Sequence, residues 1–220
     1  RAGAKVVGVA RRRDALDGLC TEIGDACIGV DADVADRNTL DATVARISGA
    51  FGAPDILINA AGLNTREAAD DVTDQGWDAT LAINLSAPFF LAQKLVPAMQ
   101  ERAWGRIVNF ASLQSFRAFP GGIAYGATKG AVTQMTRAMA EAWSGQGITA
   151  NAIGPGFFPT ELTAAVFKDD ARAARNAAQT CIGRNGCPED MDGPILFLCS
   201  EASGYVTGQI LMVDGGFTAK

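Results

Sequence analysis

The sequence predicts an α/β fold in which a parallel β-sheet is covered by helices on both faces. Short apolar runs alternate along the whole chain with longer helical patterns. The runs are apolar nearly throughout, rather than at every second residue, which is typical of strands buried on both faces. Right-handed crossovers between such strands produce a doubly wound sheet. The 220 residues, 48% of them hydrophobic, suffice for one core, so we expect a single domain over 1–220.

The individual elements follow from the period of the apolar residues. Strands are predicted at 5–10, 27–31, 56–59, 105–110, 148–153 and 210–214. Helices are predicted at 12–23, 36–51, 73–99, 124–144 and 188–199. Within the long segment 73–99, Pro88 and Pro97 are expected at bends or boundaries because proline removes a helical hydrogen bond.

Composition excludes several classes of function. The net charge of −5 is spread along the chain, which argues against nucleic acid and anionic membranes as partners. No apolar run is long enough for a membrane span, and no secretory signal is visible. The chain has no histidine, which excludes Ser-His-Asp catalysis and most zinc sites, so no metal site is predicted. The five cysteines show no CxxC pattern and are predicted to be buried, reduced thiols of a cytoplasmic protein.

The residues that follow the strands are the candidates for ligand binding, because such folds bind ligands beyond the carboxyl ends of their strands. These residues are small, polar or charged, as a cleft for an elongated polar ligand requires. They are Arg11, Arg12, Asp33, Val34, Asn59, Ala60, Gly62, Ser112, Pro155 and Gly156.

The cations after the first strand favour NADP(H) over NAD(H), although NAD(H) stays possible. Arginine at this position accommodates a ribose 2′-phosphate, whereas an acidic residue bonds the free 2′-hydroxyl. Arg11, Arg12 and Arg13 oppose the dipole at the start of a helix, and an anionic ligand would relieve that cost. The alternative is a solvated helix start.

Tyr125 and Lys129 are one helical turn apart and project from the same face of segment 124–144. A tyrosine has a pKa near 10, and a neighbouring ammonium group lowers that pKa and makes the phenol a usable base. Ser112 follows a strand and could bond a substrate oxygen beside the phenol. Taken alone, the spacing is equally typical of two polar residues that share a helix face.

Six sequence blocks together resemble the short-chain dehydrogenase/reductase family, whose fold is Rossmann-like with helix, sheet and helix layers. They are INAAG (58–62), IN (83–84), IVNFAS (107–112), YGATK (125–129), NAIGPGFFPT (151–160) and VTGQILMVDGG (206–216). The resemblance covers essentially the whole chain. It implies an oxidoreductase that interconverts a secondary alcohol and a ketone with a nicotinamide cofactor.

The resemblance implies a role for each matching residue. Tyr125 would be the general acid/base, Lys129 would lower its pKa and hold the nicotinamide ribose, and Ser112 would polarise the substrate oxygen. Asn84 would anchor a water that links Lys129 to solvent. The remaining cofactor contacts are implied at Asp33 and Val34 (adenine), at Asn59, Ala60 and Gly62 (adenosine and ribose), at Pro155 and Gly156, and at Phe158 and Thr160 (carboxamide). Members of the family are commonly homotetramers or dimers.

One part of the family pattern is absent. The glycine-rich phosphate turn after the family's first strand has no counterpart, and one central βα unit of about 30 residues is missing. Residue 1 is Arg, and Gly3 is placed like a residue that closes a preceding helix, so we expect that a segment precedes the sequence. The alternative is a complete product with impaired cofactor affinity.

The substrate is predicted from the segments that vary within the family. Segment 157–180 matches the substrate-binding lid, and Arg66 and Gln114 are candidate substrate contacts, Arg66 for a carboxylate. NAAGLNTRE, WGRIVNFASLQS and GPGFFPTEL resemble the gluconate 5-dehydrogenase branch, which implies D-gluconate and 5-ketogluconate. A 3-oxoacyl-carrier-protein reductase is the alternative enzyme. A non-catalytic subunit with the same fold is the alternative of another class.

Overall fold

The computed structural model describes residues 2–220, so Arg1 lies outside the described residues. These described residues form six strands: β1 Val6–Ala10, β2 Cys27–Asp31, β3 Ile56–Asn59, β4 Gly105–Phe110, β5 Ile148–Pro155 and β6 Ile210–Val213. The bounds of β2, β3 and β4 coincide with the prediction. Strand β5 extends two residues further than predicted, because Pro155 still pairs with Val213 at the far end of the ladder.

All strand pairs are parallel, which confirms the predicted fold class. They form two sheets, one of order β1-β2 and one of order β3-β4-β5-β6. The separation falls between β1 and β3, where the resemblance implies the missing central strand. Within residues 2–220, no strand is hydrogen-bonded between these two.

Within residues 2–220, eight α-helices connect and cover the strands. Their bounds are α1 Arg13–Ile23, α2 Leu40–Phe51, α3 Asp74–Leu81, α4 Ala87–Glu101, α5 Ile123–Trp143, α6 Ala164–Phe167, α7 Asp170–Gln179 and α8 Asp192–Leu198. Helix α2 begins four residues later than predicted. Asp36 accepts a hydrogen bond from the backbone of Asn38 at 3.0 Å, and such a local turn competes with a helical start.

The predicted helix 73–99 is divided into two. A π-helical turn at Ala82–Ser86 separates α3 from α4. Pro88 is the second residue of α4 and directly follows the π-helical turn, so it lies at a boundary between helical segments as predicted. Pro97 lies inside α4, and its prediction as a boundary is wrong. The later segments contain 3₁₀ turns at Glu161–Thr163, ahead of α6, and at Pro188–Met191, ahead of α8.

The main core lies between strands β4 and β5 and helices α4 and α5. It consists of Ala92, Leu95, Val96, Met99, Ile107, Met139, Ala140, Ile148 and Ala150. The stretch Asp74–Glu101 is long and apolar enough to cross a membrane by length and composition alone, unlike the short runs read from the sequence. In α4 the apolar residues form the core face, which accounts for that composition.

The cysteines differ from the prediction that all are buried. Cys27 is buried, Cys20 and Cys199 are half-buried, and Cys181 and Cys187 are exposed. The last two lie in the segment between α7 and α8. All five are free thiols.

Candidate active site

A cavity of about 1030 Å³ opens where β3, β4 and β5 end. Helix α5 forms one wall, and the segment from Phe157 to Val166 forms another. Eleven of the predicted site residues line this cavity: Ala60, Gly62, Arg66, Ser112, Gln114, Tyr125, Lys129, Pro155, Gly156, Phe158 and Thr160. They come from four separate elements, so tertiary folding brings the sequence blocks to one place.

Ser115 connects Ser112 and Lys129 through hydrogen bonds. The Ser115 hydroxyl donates to the backbone carbonyl of Lys129 at 2.7 Å and accepts from the backbone N–H of Ser112 at 3.3 Å. The Ser112 hydroxyl in turn accepts from the backbone of Gln114 at 3.2 Å. These bonds fix the turn after β4 against the second turn of α5.

Tyr125 is buried at the floor of the cavity, with 8% of its surface exposed. Burial raises the pKa of its phenol, while the Ser112 hydroxyl and the charge of Arg66 lower it. The net direction is upward, and Lys129 is not among the groups that lower this pKa, so its effect on the phenol stays a prediction. The lowering influences come from Ser112 and Arg66 instead.

The ammonium group of Lys129 makes its own contacts within the protein. Its ammonium group donates to the Phe110 carbonyl at 2.5 Å and lies 5.5 Å from the centroid of the Tyr125 ring. Only 4% of the residue is exposed, and burial lowers its pKa to about 8. Buried cations titrate at lower pH because the low-dielectric interior disfavours the charged form.

Asn84 lies in the π-helical turn, behind the cavity wall. Its amide nitrogen donates to the Leu63 carbonyl at 2.8 Å and to the Thr128 hydroxyl at 3.0 Å, and its oxygen accepts from the Leu63 N–H at 2.8 Å. Thr128 donates onward to the Tyr125 carbonyl at 2.7 Å. Both side-chain donors therefore bond protein groups, and the water that the resemblance implies at Asn84 stays a prediction. Such π-turns recur at functional sites.

Arg66 lies in the loop after β3, with an unusual positive φ of 58°. The Asn64 side chain supports this conformation by accepting from the Arg66 N–H at 3.1 Å. The Arg66 guanidinium lines the cavity and donates to the backbone carbonyl of Leu162. A second arginine, Arg172 of α7, lines the same cavity.

Gln114 projects between two glycines of the α5 start. Its side-chain oxygen is buried and has no hydrogen-bond partner. A methyl group at Gly122 would lie 2.1 Å from that oxygen, so only glycine leaves room for the amide.

The structure does not bring every predicted residue to the cavity. Asn59 is buried in the interior, where its amide donates to Asn109 at 2.9 Å, and its contact with the cofactor stays a prediction. Arg11, Arg12, Asp33, Val34 and Asn84 likewise do not line the cavity.

The three arginines before and in α1 are already neutralised by carboxylates. Arg12 forms a two-pronged ion pair with Glu161 of the 157–180 segment at 2.8 and 2.9 Å. Arg13 bonds Asp17 at 2.9 Å, and Arg11 lies 3.9 Å from Asp33. The electrostatic cost inferred from the sequence is therefore relieved within the protein, without an anionic ligand.

The cavity fits the nicotinamide half of a dinucleotide better than the phosphate half. Lys129 offers N–H donors, and Gly62, Pro155 and Gly156 leave room for a flat ring. A methyl group at Gly156 would lie 2.8 Å from the Asp214 Cα, so a larger residue is excluded there. Residues 2–220 contain no glycine-rich turn after β1 that could bind a pyrophosphate.

Sequence reasoning missed Ser115, Thr128 and Asn109. Ser115 could have been found from its position three residues after Ser112, where capping residues pair. Thr128 lies inside the YGATK block and faces away from the cavity, so nothing in the sequence marks it.

Comparison with known proteins places the chain in a family. The family model described as Enoyl-(Acyl carrier protein) reductase (adh_short_C2) matches residues 1–218. A gluconate 5-dehydrogenase of Gluconobacter oxydans is 39% identical over 223 residues, which cover 99% of this chain and 86% of the relative. A 2-dehydro-3-deoxy-D-gluconate 5-dehydrogenase of Pseudoalteromonas atlantica is 37% identical, with 100% and 88% covered.

The solved structures agree. A gluconate 5-dehydrogenase from Burkholderia cenocepacia J2315, solved in complex with NADP and tartrate, superposes with a TM-score of 0.93 at 36% identity. The match covers 99% of this chain and 87% of that one.

The family match and the relatives together indicate an oxidoreductase that acts on CH–OH donors. The chain belongs to the short-chain dehydrogenase/reductase family, as its sequence blocks predict.

Proposed function

We propose that this protein is an NADP(H)-dependent dehydrogenase that interconverts a secondary alcohol and a ketone on a sugar acid such as D-gluconate and 5-ketogluconate. The observation that carries the proposal is one cavity lined by a buried phenol, a serine hydroxyl and a cationic side chain, at Tyr125, Ser112 and Arg66. The relatives named above support the sugar-acid class.

Tyr125 is the proton-transfer group in this proposal. In alcohol oxidation its phenolate accepts the hydroxyl proton, and in ketone reduction its phenol returns it. Ser112 lies beside it and donates a hydrogen bond to the substrate oxygen. The pKa of Tyr125 is raised by burial, so an additional positive charge close to the phenol is required for oxidation near neutral pH.

Lys129 supplies that charge and holds the cofactor ribose. NADP, when bound, supplies the nicotinamide C4 that exchanges hydride with the substrate carbon. Turning the Lys129 ammonium group from the Phe110 carbonyl toward the phenol would favour the phenolate. Pro155, Gly156, Phe158 and Thr160 are proposed to line the nicotinamide, and Ala60 and Gly62 the ribose side.

The carboxylate of the substrate is assigned to Arg66, with Gln114 as a further polar contact. Arg66 is well placed because its charge already acts on the pKa of Tyr125. Arg172 of α7 lines the same cavity and adds a second positive charge. Segment 157–180 is proposed as the lid.

Arg11 and Arg12 are assigned to the 2′-phosphate of NADP, with Asp33 and Val34 beside the adenine. The Arg12 guanidinium now binds Glu161, so the phosphate has to replace this carboxylate. Carboxylate and phosphate groups both bind the planar guanidinium group of arginine through two parallel hydrogen bonds, so the phosphate can bind Arg12 with the same geometry. NAD(H) lacks the phosphate and is the weaker cofactor in this proposal.

An oligomer is proposed from the outer face of α5 and from α8. The small residues Ala127 and Ala138 are exposed rather than packed on the sheet, and a methyl group at Gly130 would contact nothing. Leu196 and Phe197 on α8 are also exposed. Both faces suit close packing against a second copy.

Two other substrates, and one other class of protein, are alternatives that the experiments below distinguish. The Pseudoalteromonas relative favours 2-dehydro-3-deoxy-D-gluconate. A 3-oxoacyl thioester is the substrate of the alternative reductase. A non-catalytic subunit is expected to retain the fold and bind cofactor weakly.

The test begins with NADPH fluorescence titration of the purified protein, followed by assays with each candidate substrate and with NADP⁺ or NAD⁺. We expect NADPH binding and turnover of one sugar acid with NADP⁺ preferred. An absence of fluorescence change at millimolar NADPH overturns the enzyme proposal. Turnover of 3-oxoacyl thioesters alone overturns the sugar-acid assignment.

A further inference from the structure

Two thiols outside the candidate active site lie in direct contact. The Sγ atoms of Cys20, in α1, and Cys27, the first residue of β2, are 2.8 Å apart. Among residues 2–220, no other pair of thiols is within hydrogen-bonding distance. The two exposed thiols bond oxygen instead: Cys181 donates to the Gly216 carbonyl and Cys187 to the Asp190 carboxylate, both at 3.3 Å.

A short turn holds the two cysteines in this position. The N–H of Gly24 donates to the Cys20 carbonyl at 2.8 Å, and the N–H of Cys27 donates to the Gly24 carbonyl at 2.9 Å. Gly24 has a φ of 83°, a conformation that favours glycine. Both cysteine backbones are therefore anchored to the same residue, and the contact between the sulfurs follows from the turn.

The helix and the strand that carry the thiols are also packed closely. Leu16 of α1 is buried, and a methyl group at Gly29 of β2 would lie 2.9 Å from its Cβ. A disulfide bond is about 2.05 Å long, so the sulfurs need to approach by roughly another 0.8 Å. Rotation of the two cysteine side chains about their Cα–Cβ bonds changes this distance while the backbone stays in place.

We propose that Cys20 and Cys27 are a modification site for a two-electron oxidant such as hydrogen peroxide, which converts them to an internal disulfide joining α1 to β2. Cys20 is the first to react because it is the more exposed of the two, whereas burial raises the pKa of Cys27 to about 11 and keeps it a thiol.

The reaction balances in two steps. Cys20 attacks one peroxide oxygen, the O–O bond breaks, and a sulfenic acid and one water are formed. Cys27 then attacks the Cys20 sulfur, the S–O bond breaks, and the hydroxyl leaves with the Cys27 proton as a second water. The two sulfurs together lose two electrons, and the peroxide gains them.

The disulfide would join the two elements next to the arginines that the proposed function assigns to the cofactor phosphate. Arg13 is the first residue of α1, and Asp31 ends β2 at 3.7 Å from it. The modification site itself does not depend on that assignment, because thiol chemistry is measured without cofactor or substrate.

The experiment treats the reduced protein with a small excess of hydrogen peroxide and counts thiols under denaturing conditions. We expect the count to fall from the five of the sequence to three, with a mass loss of two hydrogen atoms. Cleavage after Glu22 separates the two cysteines, so a disulfide keeps the fragments joined until reductant is added. This mapping uses the unmodified protein and is independent of any variant.

Matched variants identify the pair. Cys20→Ser and Cys27→Ser should each abolish the internal disulfide, and Cys199→Ser, which removes a half-buried thiol elsewhere, should leave it unchanged. Five remaining thiols after treatment overturn the proposal. Loss of thiols confined to Cys181 and Cys187, as sulfenic or higher acids, overturns it as well.

Discussion

The two ends of the candidate site are built in opposite ways. Around Tyr125, the polar side chains are buried and bonded to the backbone of other elements, and Asn84 and Lys129 are only 1% and 4% exposed. At the start of α1, the side chains of Arg11, Arg12 and Arg13 are at least 60% exposed and bind carboxylates. Exposed ion pairs contribute about 0–1 kcal/mol to the free energy of unfolding, so a ligand can replace one partner at little cost. A buried hydrogen-bond network does not exchange its partners in this way, because an unpaired buried group is costly. The proposed proton-transfer end is therefore preorganised, and the side chains of the proposed phosphate end can exchange partners.

The largest effect is expected from Tyr125→Phe. Removing the phenolic oxygen should lower the rate of NADP-linked oxidation by about 10²–10⁴-fold, the usual contribution of a general acid/base. The protein should still bind NADPH. Tyr205→Phe is the matched control, because Tyr205 is the only other tyrosine and is fully exposed. A Tyr125→Phe variant with the wild-type rate would exclude Tyr125 as the proton-transfer group.

Lys129→Met should increase the free energy of unfolding at pH 7. The folded pKa of about 8 lies below the unfolded value of about 10.4, so the protonated form opposes folding. The penalty is present in full below pH 8 and shrinks as the pH rises toward 10.4, and its upper limit is about 3 kcal/mol. Urea unfolding at pH 7 and pH 10 measures it.

The control for this change is Lys94→Met, which removes an exposed lysine that pairs with Asp41 at 2.6 Å. Its effect on stability should be small at both pH values. A Lys129→Met variant whose difference from the wild type is the same at pH 7 and pH 10 contradicts the lowered pKa.

Thr128→Val tests the buried network behind Tyr125. The change leaves one Asn84 donor without its partner, which should lower the free energy of unfolding by about 1–3 kcal/mol. Thr21→Val makes the same chemical change on the exposed face of α1 and should cost about 0.5 kcal/mol or less. Equal losses in the two variants would show that the network does not stabilise the site.

Arg12→Gln tests the exposed ion pairs at the start of α1. It should weaken NADPH binding about tenfold, the equivalent of about 1.4 kcal/mol, and leave NADH binding unchanged. Arg13→Gln is the control, since Arg13 bonds Asp17 of its own helix. Parallel titrations with the two cofactors provide the measurement, and an equal loss for both cofactors argues against a 2′-phosphate contact.

The smallest effect is expected from Glu161→Gln. Removing the carboxylate that competes for Arg12 should tighten NADPH binding by up to about fivefold, since exposed ion pairs contribute at most about 1 kcal/mol. The effect should diminish at high salt. Weaker NADPH binding would indicate that Glu161 supports the cofactor rather than competing with it.

Much of the fold could be predicted because the strands are short and apolar throughout. The bounds of β2, β3 and β4 were predicted to the residue, and α5 to within one residue at each end. The errors occur where local side chains decide the backbone, as at Asp36 before α2, or where proline fits into a helix, as at Pro97.

The sequence predicted which residues lie at the strand ends around the candidate site. It did not predict which of their side chains point into the cavity. Ser112 and Gly156 follow or end strands and line the cavity. Asn59 also ends a strand, yet its side chain turns inward to Asn109. Alternation along a strand is not visible in a run that is apolar on both faces, so the sequence could not distinguish these outcomes.

The sequence by itself determined the parallel α/β class, the family and the set of groups available for proton transfer, because these depend on periodicity and residue identity. Only the tertiary structure decided how those groups interact. It directed the Lys129 ammonium group to the Phe110 carbonyl, paired Arg12 with Glu161, and brought Cys20 against Cys27. Burial and the distance between charges set pKa values and ion pairs, and both quantities arise only when distant segments are packed together.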